Sequence, residues 1–217
     1  IVMKHCSLET IVDLSRYPLD RADSRVWHEL VERKRGELAQ NQYCTLPGFL
    51  LDDQRRKIIP AIEARLQQAN RADNERNIYL ERARTESLPD DHPKNIFTRG
   101  CYHMFGAHLL DTDSPLKTLY YSKMMQGFTA AVVGADRLYP SDDPYQPVNV
   151  QGERRGVEAV ARSEGELVIF RGCHSAHRVT PVEGRRRRLM CVMVYENSAG
   201  VVGDPVVNET VYGITAG

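Results

Sequence analysis

The sequence lacks the features that mark membrane, secreted or nucleic-acid-binding proteins. No apolar run approaches the length of a membrane-spanning helix, and residues 1–20 carry charges where a secretory signal would be apolar. Lysine plus arginine and aspartate plus glutamate both number 29, so no net charge attracts nucleic acid or a membrane surface. The five cysteines are odd in number and show no Cys-x-x-Cys spacing. These absences predict reduced thiols in a cytoplasmic protein.

An internal repeat and a second domain are also missing. The 217 residues are enough for one domain with a sizeable core, and the apolar spacing is mostly helical up to about residue 135. The predicted elements are a helix over 26–40, a strand over 43–51 kinked at Pro47-Gly48, a helix capped by Asp52 or Asp53 and kinked at Pro60, part helix and part loop over 70–91, an extended stretch over 96–110, and a helix from Pro115 to a stop at Gly134. We therefore predict a single domain over 1–217.

The last quarter of the chain contains an unusual succession of residues. A short apolar strand over Leu167–Phe170 is followed by a turn, and His177 then begins an extended stretch. Arginines follow, of which Arg186 and Arg188 share one strand face with apolar neighbours. Imidazole binds divalent metals, and a guanidinium forms two hydrogen bonds to a carboxylate. The spacing suits a site for a metal and the far carboxylate of a dicarboxylic co-substrate.

At these residues the sequence resembles the last third of iron(II)/2-oxoglutarate-dependent oxygenases. The string Val-Ile-Phe-Arg-Gly, His-Arg-Val-Thr-Pro-Val, Gly and Arg, with Tyr195 and a late Val211-Tyr212-Gly213, is similar to the branch that contains free amino acid halogenases and hydroxylases. The resemblance implies an α+β fold with a double-stranded β-helix, the jelly roll of cupins, under a helical N-terminal layer. It implies Fe(II), 2-oxoglutarate and O2, with chloride added in a halogenase.

The resemblance also implies roles for five residues. His177 becomes the distal iron ligand, and Arg186 holds the C5 carboxylate of 2-oxoglutarate, with Arg188 as the second choice. Arg99 either holds the α-carboxylate of the substrate or is a surface residue, and Tyr212 either closes the pocket or packs in the core. The expected reaction is hydroxylation, cyclisation or desaturation at an unactivated C–H of a free amino acid or a derivative. Halogenation is the alternative.

The sequence shows no second half for this iron site. None of the seven histidines is followed two residues later by Asp, Glu, Gly or Ala, except His174, whose Ala176 lies in the distal turn itself. Only thirteen residues separate Gln151 from Gly165, too few for the missing strands of a jelly roll. Either the fold has lost its metal, or a segment near 151–152 is absent from the sequence. We expect the second.

Two further functions stay open at this point. One is a jelly-roll binding protein without iron, and the other is anion or nucleotide binding through Arg185 to Arg188. The sequence does not determine the oligomeric state, for which a homodimer is one option. It predicts a small amino-acid-like molecule as the partner, and neither nucleic acid nor membrane.

Overall fold

The architecture combines helices with antiparallel sheets. The structure is a computed structural model that describes residues 7–77, 79, 81–153, 163–172 and 188–213. All its sheets are antiparallel, and no closed barrel forms within these ranges. The α+β class predicted from the sequence is therefore observed.

The helices and strands alternate along the chain. The described helices are α1 (Leu8–Ile11), α2 (Arg25–Asn41), α3 (Asp52–Arg65), α4 (Pro115–Tyr121), α5 (Lys123–Val133) and α6 (Pro205–Tyr212). The described strands are β1 (Tyr43–Leu46), β2 (Asn70–Arg76), β3 (Thr98–Phe105), β4 (Tyr139–Pro140), β5 (Val148–Glu153), β6 (Leu167–Phe170), β7 (Arg188–Met193) and β8 (Tyr195–Glu196). The predicted strand over Leu167–Phe170 is confirmed at both ends.

Helix α2 forms where the sequence predicts it. The Ser24 hydroxyl accepts a hydrogen bond from the backbone N–H of Trp27, which satisfies a free donor of the first turn. The helix ends at Gln42, whose φ of 69° places it in the left-handed region. Its apolar face, including Leu30 and Leu38, is buried.

The start of α3 differs from the prediction. Leu51 occupies the N-cap and makes no side-chain cap, whereas Asp52 and Asp53 lie inside the first turn. Carboxylates in the first turn still stabilise a helix, because they face the positive end of its dipole. Pro60 lies within the helix, which continues to Arg65.

The predicted helix from Pro115 to Gly134 is two helices. Ser122 breaks the run, because its ψ of 125° is extended and its hydroxyl caps the second helix by accepting from Met125 N. Gly134 ends α5 with φ 72°, a conformation that glycine adopts without strain. The predicted stop is confirmed.

Strand β2 is the largest error of the sequence prediction. Residues 70–91 read as part helix and part loop, but Asn70–Arg76 forms a strand that pairs along its whole length with β3. The strand carries no apolar alternation that a sequence pattern could detect. Its alternate residues are nevertheless buried or half-buried on one face and exposed on the other.

Antiparallel pairing joins the described strands into three sheets. Strands β2, β3, β5 and β7 form a four-stranded sheet in that order, whereas β1 pairs with β6 and β4 with β8. Residue 151 of β5 pairs with Met104 on one side and Met190 on the other. Directly paired residues lie on the same face of a sheet, so this register decides which side chains can meet.

Two apolar clusters hold the layers together. The first joins α2 and α5 to the β1–β6 pair through Leu30, Phe128, Val132 and Ile169 among others. The second packs α3 and α4 on one face of the four-stranded sheet. Its members include Ile58, Ile62, Phe105, Leu116, Tyr120, Val148 and Val150. The second cluster fixes which face of the sheet is covered by helices.

Tyr120 ties α4 to the ends of the strands. It is completely buried, its hydroxyl donates to Val194 O (2.7 Å) and accepts from Ser141 N (2.8 Å), and its ring stacks on that of Tyr195 at 4.9 Å. The Tyr195 hydroxyl donates in return to the backbone oxygen of Tyr120 at 2.8 Å. Burial raises the pKa of Tyr120, so the hydroxyl stays protonated.

Removing this hydroxyl should lower stability. We expect Tyr120→Phe to reduce the free energy of unfolding by about 1–2 kcal/mol, because Ser141 N–H and Val194 C=O each lose a partner. Urea unfolding followed by circular dichroism measures this. Tyr121→Phe is the control, since Tyr121 is 49% exposed. Equal stability of the two variants would show that the Tyr120 bonds contribute nothing net.

Three of the five cysteines lie within the described residues. Cys44, Cys101 and Cys191 are free thiols, and burial raises the pKa of Cys44 to about 11 and that of Cys191 to about 12. Cys6 and Cys173 lie outside the described residues.

Among the helices that the structure describes, none has the length and apolar character needed to cross a membrane.

Candidate functional site

Most of the predicted metal half of the site lies outside the described residues. His177 and Arg186 belong to the stretch 173–187, and the segment proposed to be absent adjoins 154–162. Within the described ranges, no group of three or more His, Cys, Asp or Glu side chains could hold a metal ion. The iron assignment to His177 and the missing proximal ligand therefore stay predictions.

Of the two arginines predicted to bind 2-oxoglutarate, Arg188 lies within the described residues. It is the first residue of β7 and is half-buried. Residues two and four positions further on, Met190 and Val192, lie on the same face of the strand and are also half-buried. A guanidinium beside apolar side chains is well suited to bind an anionic group, because the pair is shielded from water.

The strand register places residues of β2, β3 and β5 on the same face of the sheet as Arg188. We call this the Arg188 face, and it is opposite to the face that α3 and α4 cover. Its members are Asn70, Ala72, Asn74 and Arg76 of β2, Thr98, Gly100, Tyr102 and Met104 of β3, Asn149, Gln151 and Glu153 of β5, and Arg188, Met190 and Val192 of β7, with Glu153 in register with Arg188. The face thus contains two arginines, two methionines, a tyrosine and three asparagines.

Arg76 is a cation that the sequence prediction missed. It is half-buried at the end of β2, and burial lowers the pKa of its guanidinium, with the positive charge of Arg82 lowering it further. Tyr102 lies close enough to raise the same pKa slightly. Arg76 is half-buried and Arg82 is exposed, and two positive charges near each other favour the binding of an anion.

Side-chain amides hold the connection between β2 and β3, which contains Arg82. The Asn95 side chain accepts from Thr85 N and donates to Leu88 O and Pro89 O, each within 3.0 Å. The Asn77 side chain similarly donates to Lys94 O at 2.8 Å. Buried amides that bond this many backbone groups fix the course of a loop. These bonds fix the course of the connection that contains Arg82.

Gly100 makes room for Tyr102 on this face. A β-carbon at residue 100 would lie 3.2 Å from the Tyr102 ring, so the ring lies over the glycine. A larger residue there would push the ring away from the backbone. The glycine thereby allows Tyr102 to lie along the strand toward the Arg76 end of the face.

Arg99 lies on the other face of the sheet. Its guanidinium binds Asp73 through two hydrogen bonds, Nε to Oδ1 at 2.8 Å and Nη2 to Oδ2 at 3.1 Å, and its side chain is 73% exposed. The structure does not bring Arg99 together with Arg188. Of the two interpretations that the sequence left open, this position matches the surface arginine.

Tyr212 is buried at the end of α6. It is 8% exposed, and its ring lies 6.0 Å from that of Tyr145, which in turn contacts His108 edge-on at 4.9 Å. Burial raises the pKa of the Tyr212 hydroxyl. This position matches the packing role rather than closure over a substrate.

Asp143 anchors the segment that contains Tyr145 to α6. It is 2% exposed, and its Oδ1 accepts from Tyr145 N (2.7 Å) and Gln146 N (2.9 Å). Its Oδ2 accepts from Gly203 N (3.0 Å) and Asn208 Nδ2 (2.8 Å). Burial alone would raise the pKa of Asp143, but these four bonds outweigh it and the pKa is lowered. The carboxylate is charged and structural.

A groove elsewhere on the molecule does not involve these residues. It has a volume of about 500 Å³ and lies between α2 and α5. Its lining includes Trp27, Arg35 and Gln126, and none of the site residues predicted from the sequence. The groove shares no residue with the Arg188 face, so the two are separate candidate sites.

Comparison with known proteins gives no family for this chain. No family model matches it, and no curated protein matches it either.

Proposed function

We propose that the protein is an iron(II)/2-oxoglutarate-dependent oxygenase that acts on an unactivated C–H bond of a free amino acid or a derivative. The Arg188 face carries the proposal. It presents a half-buried arginine at the start of a strand, beside apolar side chains, immediately after the stretch that resembles the family. The charge and the surroundings fit the far carboxylate of 2-oxoglutarate.

The residues would divide the work as follows. His177 would hold the iron, and Arg188 or Arg186 would orient 2-oxoglutarate through its C5 carboxylate. Iron(II), with 2-oxoglutarate and oxygen, supplies the oxidising power that removes hydrogen from the substrate. Met190 and Val192 would exclude water beside the co-substrate. Arg76 adds a second position for an anionic group on the same face.

The sheet arrangement supports a jelly roll as the proposed fold. A jelly roll consists of two antiparallel sheets with strands that are far apart in sequence. Strands β5 and β7 are antiparallel neighbours in the four-stranded sheet, and β1 pairs with β6 across most of the chain. We propose that these are parts of the two sheets.

Two alternatives differ in what they require. A metal-free jelly-roll binding protein is favoured by the missing His-x-Asp or His-x-Glu in the sequence. A halogenase would need Gly or Ala in place of the proximal carboxylate and chloride as the added ligand. Each alternative predicts a different result in the following experiment.

Mixing the purified protein with iron(II) and 2-oxoglutarate under anaerobic conditions should produce a charge-transfer absorption band. Admission of oxygen should then form succinate, and His177→Ala should form it only at the background rate, because imidazole is a metal ligand. If wild type and His177→Ala give the same spectrum and the same succinate, the enzyme proposal is wrong. Salt-sensitive anion binding that survives His177→Ala would instead favour the arginine cluster at 185–188. Chlorinated product in the presence of chloride would assign the halogenase.

A further inference from the structure

The groove between α2 and α5 has the size and the access that a small-molecule site requires. Its volume of about 500 Å³ lies within the range of such sites. Trp27 and Val31 of α2 line one side, α5 lines the other, and residues 135–138 border the groove as well. The groove is open to solvent, so a ligand can enter it without any rearrangement of the protein.

Gly127 leaves space in this groove. It lies in the interior of α5, where glycine lowers the stability of a helix relative to alanine. A β-carbon placed on Gly127 would meet no atom within 4 Å. Close packing within the chain therefore does not require glycine here. The missing side chain instead keeps the α5 side of the groove open, next to the small residues Ala130 and Ala131.

One pair of charges in the groove is already satisfied. Glu32 and Arg35 form an ion pair at 3.2 Å, and Arg35 Nε also donates to the backbone oxygen of Ala131 at 2.6 Å. The two charged residues lie about one turn apart on α2, so the helix itself brings them together. This pair adds no net charge to the groove.

Two further cations of the groove have no acidic partner among the described residues. Lys123 Nζ donates only to the neutral amide oxygen of Gln126, at 3.3 Å. The Arg137 guanidinium makes only a cation–π contact, 4.6 Å from the centre of a tyrosine ring. Asp136 is the remaining carboxylate of the groove. Two cations and one carboxylate leave one positive charge, which favours a ligand with a single negative charge.

Trp27 gives the groove an aromatic surface. It is half-buried, and its ring contacts those of His28 and Phe128 edge-on at 5.1 Å and 6.5 Å. Its backbone N–H is bound by Ser24, but its indole N–H donates no hydrogen bond to a described residue. Aromatic rings pack favourably on indole, and a free N–H can donate to an acid group.

We propose that this groove binds a small aromatic carboxylate. The ring of the ligand lies against Trp27, in the space that Gly127 leaves open. Its carboxylate is attracted by the positive charges of Lys123 and Arg137. The site is separate from the Arg188 face, and the inference does not depend on iron chemistry.

The fluorescence of Trp27 tests this directly, because Trp27 is the only tryptophan of the chain. The purified protein is titrated with phenylacetate, with the uncharged phenylacetamide, and with acetate, which lacks the ring. We expect a saturable change of emission with phenylacetate. Phenylacetamide should bind at least about fivefold more weakly, the usual upper effect of one exposed charge pair. Acetate should give no saturable change over the same range of concentration.

Two glycines provide a matched pair of variants. Gly36 lies in the interior of α2, also has no atom within 4 Å of an added β-carbon, and does not line the groove. Gly127→Leu fills the groove and should weaken phenylacetate binding by at least about 10-fold, whereas Gly36→Leu should leave it unchanged. Equilibrium dialysis measures both affinities without relying on fluorescence. Both variants replace glycine with a better helix former, so both should fold, which urea unfolding checks.

A charge variant completes the test. Lys123→Met combined with Arg137→Met should bind phenylacetate no better than phenylacetamide, because both cations are gone. The inference is overturned if the wild type gives no saturable signal up to about 10 mM phenylacetate, the weak end for so small a ligand. It is also overturned if phenylacetamide binds equally well, or if binding survives Gly127→Leu. None of these measurements uses iron or 2-oxoglutarate, so their failure leaves the proposed function untouched.

Discussion

Replacing Arg188 with leucine is expected to reduce kcat/KM for 2-oxoglutarate by about 10- to 100-fold, the effect of removing a half-buried partner of a carboxylate. If Arg188 binds the C5 carboxylate as proposed, leucine leaves that carboxylate without a counter-charge. Arg188 is half-buried at the start of β7, so little water can replace the guanidinium. Succinate formation at varied 2-oxoglutarate measures the loss.

Three variants show whether this effect is specific. Arg99→Leu should change kcat/KM by no more than about twofold, because Arg99 is exposed on the opposite face. Arg188→Lys should lie between leucine and wild type, since lysine keeps the charge but cannot form the two parallel bonds. Arg186→Leu tests the residue that sequence spacing favours. A loss of kcat/KM confined to Arg186→Leu would show that Arg186, and not Arg188, binds the C5 carboxylate.

Replacing Asp143 with asparagine is expected to lower the free energy of unfolding at neutral pH by about 3 kcal/mol. The carboxylate accepts four N–H bonds, whereas the amide presents its own N–H2 to two of those donors. The substitution also removes the charge that strengthens the remaining bonds. Asp142→Asn is the control, because Asp142 is exposed next to it. Urea unfolding that gives equal stabilities for both variants would contradict this account.

The same substitution predicts a pH dependence. The folded-state pKa of Asp143 is lowered, so its contribution is complete above the unfolded pKa of about 3.9 and is lost as pH falls through the folded pKa. Asparagine does not titrate. The difference in stability between wild type and Asp143→Asn should therefore be constant from neutral pH to about pH 5 and shrink below about pH 4. A difference that grows on acidification would mean that Asp143 is not bound as a carboxylate.

The sequence predicted the elements whose apolar pattern is local. The helix over 26–40 and the strand Leu167–Phe170 were identified, because each has an apolar pattern and a recognisable start or end. The break at Ser122 was missed, since the apolar spacing runs on through it. Strand β2 was missed for a different reason. Its residues are polar on both faces, and only its pairing with β3 makes it a strand.

The site could be predicted only in part. Arg188 was named as the second choice for the carboxylate, and the structure shows only that it begins an apolar strand. Arg76 and Asn149 were not, since their shared face depends on pairing between β2, β3, β5 and β7. Arg99 was considered for the substrate carboxylate because the matching segment of the resembling enzymes lines the substrate pocket. Strand alternation instead places it on the face of the sheet opposite to Arg188, where it binds Asp73.

The pairing of β1 with β6 has a consequence for how the chain is made. Cys44 pairs with Ile169, so the strand that supports α2 obtains its neighbour only after most of the protein has left the ribosome. Pairing so distant in sequence is slow to form, because a long loop must close first. Until then the Cys44 thiol, buried in the folded chain, is open to alkylating reagents. The time at which Cys44 becomes protected from alkylation during synthesis would therefore report when β1 pairs with β6.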